Sequence, residues 1–144
     1  MPVFADTNLL VYARDGSDPE KHAIARAWME HLWTNASGRV SVQVLQEYYV
    51  TVTCKLTPGL PKEEARADVR DLAVWLPIRI EEPIVEAAWT LEDRYGFSFW
   101  DSLIVAAAQA AGCRTLLTED LQHDLDIDGL RIADPFRTPV GSVS

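Results

Sequence analysis

Short apolar runs of strand type alternate along this chain with longer segments of helical period, and that alternation constrains the fold more than any other feature. The runs are PVFA (2–5), RVSV (39–42), TLLT (115–118) and LRIA (130–133), with PIRI (77–80) a weaker fifth. Between them lie five segments with helix signals. Residues 18–33 open with Asp18 as N-cap and Pro19 at the first helical position, and Ile24, Trp28 and Leu32 recur on one face. Residues 42–53 place Val44, Tyr48 and Val52 together, although their many β-branched side chains weaken the helix signal. Residues 61–75 begin with Pro61 and acids that suit the helix dipole, and 83–96 run from a proline to a glycine. A further helix is expected over 101–111, stopping at Gly112. Strands alternating with helices predict a single-domain, three-layer α/β/α sandwich around a parallel sheet.

The chain has 144 residues and no internal repeat, so one domain is expected over residues 1–136, with the small polar tail 137–144 frayed. Its apolar runs are too short to cross a bilayer, and its N-terminus has no signal-peptide pattern. Cys54 and Cys113 form no CxxC or metal-type cluster, which suits a reducing, cytoplasmic setting and no membrane. A net charge of −9 argues against nonspecific binding to duplex nucleic acid, which needs a basic face.

In a parallel α/β sheet, ligands bind beyond the carboxyl ends of the strands. Asp6 ends the first run, Asp120 follows TLLT by one residue, Asp101 opens the helix leading into that strand, and Glu47 is the lone acid from Val40 to Cys54. Each has a plainer reading. Asp6 and Asp101 could cap helices, Glu47 could face water, and Asp120 could hold an Asx turn. All four plain readings must hold together for the group to mean nothing. Carboxylates that converge repel one another unless a cation lies among them. Oxygen ligands without His or Cys select Mg²⁺ or Mn²⁺ over Zn²⁺, and Mg²⁺ keeps waters and takes phosphate oxygens. Such a site suits phosphodiester hydrolysis, with the metal activating water and neutralising the leaving oxygen.

Four blocks carry a resemblance. They are FADTNLLVYARD at the start, QVLQEYYVTVTCKL around Glu47, FWDSLIVAAAQAAGC around Asp101, and LLTEDLQHDLDIDGLRIADPF near the end. In this order and over nearly the whole chain, they resemble the PIN-domain family, and within it the toxin nucleases of VapBC-type toxin–antitoxin pairs. The resemblance implies a metal-dependent endoribonuclease. Asp6, Glu47, Asp101 and Asp120 would line its site, with Asp6, Asp101 and Asp120 on the metal and Thr118 a hydroxyl support. Asn8 belongs to the same D-x-N opening. An RNA substrate, a cognate VapB-like antitoxin and a homodimer are the partners expected. Family members commonly carry Gly after LQH; here Asp124 stands there, adding an acid and stiffening a turn.

Other residues receive smaller expectations. His22 and His31 read as surface residues and His123 as a loop residue near Asp120. Trp28, Trp33, Trp75 and Trp89 read as core or partner contacts. Trp100 is expected to pack and so fix the direction of Asp101, and Arg14 and Lys55 are candidate phosphate contacts. Two competing classes remain open: a phosphoryl-transfer enzyme with Asp6 as nucleophile, and an inert partner-binding module. A haloacid-dehalogenase-type site would need Asp at position 8, where Asn8 stands.

Overall fold

The computed structural model describes residues 1–143. Its strands are β1 (Val3–Ala5), β2 (Gly38–Arg39), β3 (Thr115–Leu117), β4 (Asp126–Ile127) and β5 (Leu130–Ala133). The helices are α1 (Thr7–Arg14), α2 (Pro19–Thr34), α3 (Val42–Val50), α4 (Lys62–Leu72), α5 (Glu82–Tyr95) and α6 (Phe99–Ala110). A π-helical turn, Thr51–Lys55, continues α3.

The sheet order is β2-β1-β3-β5-β4, parallel throughout except for the β4–β5 pair. From β1 the chain crosses to β2 on one side, and from β2 it returns past β1 to β3. Right-handed crossovers in opposite directions send their helices to opposite faces, which builds the three layers. The reversal lies between β1 and β3, and a crevice opens there at their carboxyl ends.

Burial follows the periodicity. Trp28 and Leu32 on α2, and Val44 and Tyr48 on α3, are buried with Val52, while Phe4, Leu116 and Ile132 fill the sheet core. The run that makes α6 so apolar is explained by its position, since Ser102 to Ala108 are all buried. Asp18 caps α2 by accepting from Lys21 N–H at 3.2 Å.

Three local expectations are corrected. PIRI is not a strand: Pro77 has no N–H to donate and Leu76 is left-handed at φ 52°, so only Ile78 pairs, in a single bridge to Ser41. The α6 helix starts two residues before Asp101, because the Ser98 hydroxyl accepts from Asp101 N–H at 3.1 Å and is the N-cap. The β4–β5 hairpin, unforeseen, turns at Asp128 (φ 52°) and Gly129 (φ 94°), a D-G pair of the kind favoured in two-residue hairpins. In the tail, Ser142 Oγ donates to the Pro139 carbonyl at 2.6 Å.

Candidate active site

Asp6 leaves the end of β1 and caps α1, so its two sequence readings hold at once. Its Oδ1 accepts from Thr7 N–H at 2.7 Å, and its Oδ2 accepts from the Thr118 hydroxyl, also at 2.7 Å. Thr118 stands just beyond β3, so this bond closes the crevice between the two strands. The same hydroxyl accepts from Asp120 N–H at 3.1 Å, which fixes the turn that carries Asp120.

The other acids are aimed by the D-T-N opening. The Thr7 hydroxyl donates to Glu47 Oε1 at 3.0 Å, linking α1 to α3. The Asn8 amide donates to both oxygens of Asp120, at 3.0 and 3.2 Å. Asp101 rises from the first turn of α6; with Ser98 as the cap, its carboxylate is free to face the crevice. Asp6, Glu47, Asp101 and Asp120 thus line one pocket of about 450 Å³, with Thr7, Asn8, Gln43, Trp100 and Lys55. The neighbouring Glu119 is drawn elsewhere, into an ion pair with Lys21 at 2.8 Å.

Electrostatics record the crowding. Asp6 is only 6% exposed, and its pKa is pushed up to about 7. Burial is the main cause, with smaller contributions from Asp120 and Glu47, against lowering by the Thr118 and Thr7 hydrogen bonds. Asp120 is also raised, first by burial and then by Asp101, Glu119 and Glu47, and is lowered by Asn8. Lys55 is the only cation lining a pocket with four carboxylates. Among the described residues, no three of these acids are already gathered at metal-chelating distance. The arrangement is therefore a ring of acids rather than a closed cage. A hard divalent ion that binds through one or two carboxylates and keeps its waters fits that ring.

Two expectations change here. Trp100 is not packed into the core: it meets Phe99 edge-on but is 62% exposed at the pocket wall. Arg14 is turned away from the pocket, bonded through Nε to Asp68 at 2.9 Å, with the Tyr48 hydroxyl on the same carboxylate. His123 is the loop residue expected: it is anchored by accepting Asp134 N–H at Nδ1 (3.0 Å) and does not line the pocket. Sequence reasoning also passed over Thr7 and Gln43. Gln43 lies four residues before Glu47, one helical turn, and that spacing was the available signal.

The comparisons bear on the fold that carries this pocket. No curated protein matches the chain. Mycobacterium tuberculosis VapC20, a sarcin–ricin-loop-cleaving toxin, is 22% identical, with 82% of this chain and 91% of that one aligned at a TM-score of 0.61. A toxin–antitoxin complex from Klebsiella pneumoniae aligns over 94% of this chain and 98% of its own, at 21% identity and a TM-score of 0.64. VapBC2 from Rickettsia felis, bound to a DNA fragment from its promoter, aligns over 92% and 97%, at 22% identity and a TM-score of 0.62. These likenesses are of fold. The PIN-domain family profile matches residues 3–125, and the chain belongs to the PIN-domain family.

Proposed function

We propose that this chain is a divalent-metal-dependent endoribonuclease, the toxin of a toxin–antitoxin pair, acting in the cytoplasm. The observation that carries the reading is the pocket at the β1–β3 crevice, where four acids meet on a PIN fold with one lysine to oppose them. Asp6, Asp101 and Asp120 would hold Mg²⁺ or Mn²⁺, which when bound supplies an activated water and charge for the phosphate and leaving oxygen.

The chain's own residues do the rest. Thr118 and Thr7 hold Asp6 in one orientation, so that little side-chain entropy remains to be lost when it binds an ion. Asn8 does the same for Asp120. Glu47 has Oε1 fixed by Thr7, leaving Oε2 to accept a proton from the attacking water as a general base. Lys55 is placed to receive a phosphate oxygen. Loop or single-stranded RNA is the favoured substrate class, since its exposed bases and bendable backbone let a phosphate reach a recessed pocket. The similarity to VapC20, whose own substrate is a loop, supports this choice.

The phosphoryl-transfer alternative loses ground because the Asn8 amide is committed to Asp120, leaving nothing at that position to act as acid–base. For a partner, the two toxin–antitoxin complexes among the neighbours support an antitoxin; in our reading it covers the site and places an Arg or Lys among the acids, substituting for the metal's charge. Trp33 and Tyr49 offer apolar anchors to it, and a homodimer is the expected assembly.

The test is cleavage of a hairpin RNA by the purified chain. Cleavage should require Mg²⁺ or Mn²⁺, stop in EDTA, and fall by orders of magnitude in Asp6→Asn and Asp101→Asn. Undiminished cleavage in excess EDTA would refute the metal-dependent reading.

A further inference from the structure

We propose that Trp100 is the base-stacking platform of this site: its indole takes the nucleobase next to the scissile phosphate, while Lys55 receives a phosphate further along the strand. The inference rests on the ribonuclease reading and adds to it the residues that hold the substrate.

A tryptophan one residue from a pocket acid would ordinarily be buried, yet this ring is 62% exposed. Its backbone is nevertheless fixed. The buried Gln43 donates from Nε2 to the Trp100 carbonyl at 3.2 Å. A carbonyl can only accept, so the amide orientation is set by chemistry and Gln43 ties the start of α3 to the start of α6. Phe99 packs edge-on against the ring, with centroids 5.3 Å apart. The result is an aromatic held from behind and open in front.

The pocket wall then follows α3. Gln43, Glu47, Val50 and Thr51 recur at helical spacing and all line the pocket, with Lys55 closing the π-helical turn. Gln43 and Thr51 are about 12 Å apart at 1.5 Å per residue. Trp100 and Lys55 are thereby attached at the two ends of one wall, with Glu47 between them. Among the described residues, Lys55 makes no ion pair, whereas Lys21 and Arg14 are both engaged by carboxylates.

The surroundings select the occupant. Apart from Val50, Ile104 and Lys55, the pocket offers Trp100 a company of acids, amides and hydroxyls. An apolar partner segment would find little else to bury there. A nucleobase presents a π face to the indole and a polar edge to the amides, and every base can do so.

The test uses Glu47→Gln as an inactive parent and a fluorescein-labelled hairpin RNA whose cleaved phosphate has been mapped with the wild-type chain. A second RNA carries an abasic nucleotide beside that phosphate. Trp100→Ala in this parent should weaken binding about tenfold or more, while Trp100→Phe keeps most of it. The abasic RNA should bind the parent about tenfold more weakly than the intact hairpin, yet cost the Trp100→Ala variant nothing further. RNA should also quench indole fluorescence in the parent and do so far less in Trp100→Phe. Equal affinity of parent and Trp100→Ala for the intact RNA would overturn the proposal. So would an undiminished abasic penalty in Trp100→Ala accompanied by a fall from dimer to monomer mass, which would make the ring a contact between copies. A wild-type chain that neither binds nor cleaves RNA would overturn the ribonuclease reading as well, whereas normal cleavage with an indifferent Trp100 would overturn this inference alone.

Discussion

Thr118 and Asp6 lie 112 residues apart in the chain, yet the Thr118 hydroxyl donates to Asp6 Oδ2 at 2.7 Å across the gap between β3 and β1. The bond holds a buried carboxylate at the point where the sheet reverses its order, and through Asp120 N–H it also sets the position of a second acid. Thr118→Val keeps the shape and removes the hydrogen bond. At pH 8, without metal, it should cost about 1–3 kcal/mol in urea unfolding, and Thr118→Ser should recover most of that. Equal stability of the valine variant and wild type would show that the bond contributes nothing.

The raised pKa of Asp6 gives the metal-free protein a distinctive pH profile. Its folded value, about 7, lies above its ordinary 3.8, so between these values the folded state binds more protons than the unfolded state. The contribution of Asp6 to stability therefore falls as pH rises from about 4 to about 7 and levels off beyond, opposite to the usual behaviour of a salt-bridged acid. Asp6→Asn carries no charge and should lack this decline. At about 1.4 kcal/mol per pH unit, the variant should be the more stable by up to about 4 kcal/mol at pH 8. Parallel profiles from pH 4 to pH 8 would contradict the burial argument.

Metal should reverse that penalty. Mn²⁺ at a hundredfold excess over its dissociation constant stabilises the folded state by about 2.7 kcal/mol through mass action. Because a carboxylate must lose its proton to ligate, the gain should grow between pH 6 and pH 8. Asp6→Asn and Asp101→Asn should show little thermal shift with Mn²⁺. A full shift in both variants would place the ion elsewhere.

Asp124 has a backbone φ of 67°, the left-handed region that glycine adopts most freely. Aspartate is among the residues that tolerate this conformation, and Asp124 N–H still donates to the Ile132 carbonyl at 2.9 Å. Asp124→Gly should therefore change stability by no more than about 1 kcal/mol and leave RNA cleavage intact. A large loss of cleavage would give the Asp124 carboxylate a part in the site.

The sequence made the layers and the acids legible because both follow from local chemistry. Apolar periodicity marked α2 and α3, and Asp18–Pro19 marked a helix start that the structure reproduces. Four lone acids pointed to the crevice because strand ends can be located without knowing the topology. Less visible were features set by competition between neighbours. Asp101 was read as a possible cap, and only the backbone shows that Ser98 takes that place and leaves the carboxylate free. Likewise, Glu119 and Asp120 are adjacent acids, and it is Lys21, 98 residues from Glu119, that draws one aside. Trp100 was misread because large aromatics are usually buried, and nothing local says that Trp33, Trp89 and Trp100, of five tryptophans, stay exposed. The short β4 strand was passed over although its D-G turn stands in the sequence.

The measurement that tests the central claim most directly follows Mn²⁺ occupancy and RNA cleavage on the same samples. Occupancy is read from the free-ion electron paramagnetic resonance signal, and cleavage from single-turnover rates on a hairpin RNA. The account predicts that rate and occupancy rise together, that both vanish in EDTA, and that Asp101→Asn loses both. Glu47→Gln should bind Mn²⁺ while cleaving at least a hundredfold more slowly, about 2.7 kcal/mol of lost transition-state stabilisation. A chain that cleaves RNA at full rate with no Mn²⁺ bound, or that fills with Mn²⁺ and never cleaves, would contradict it.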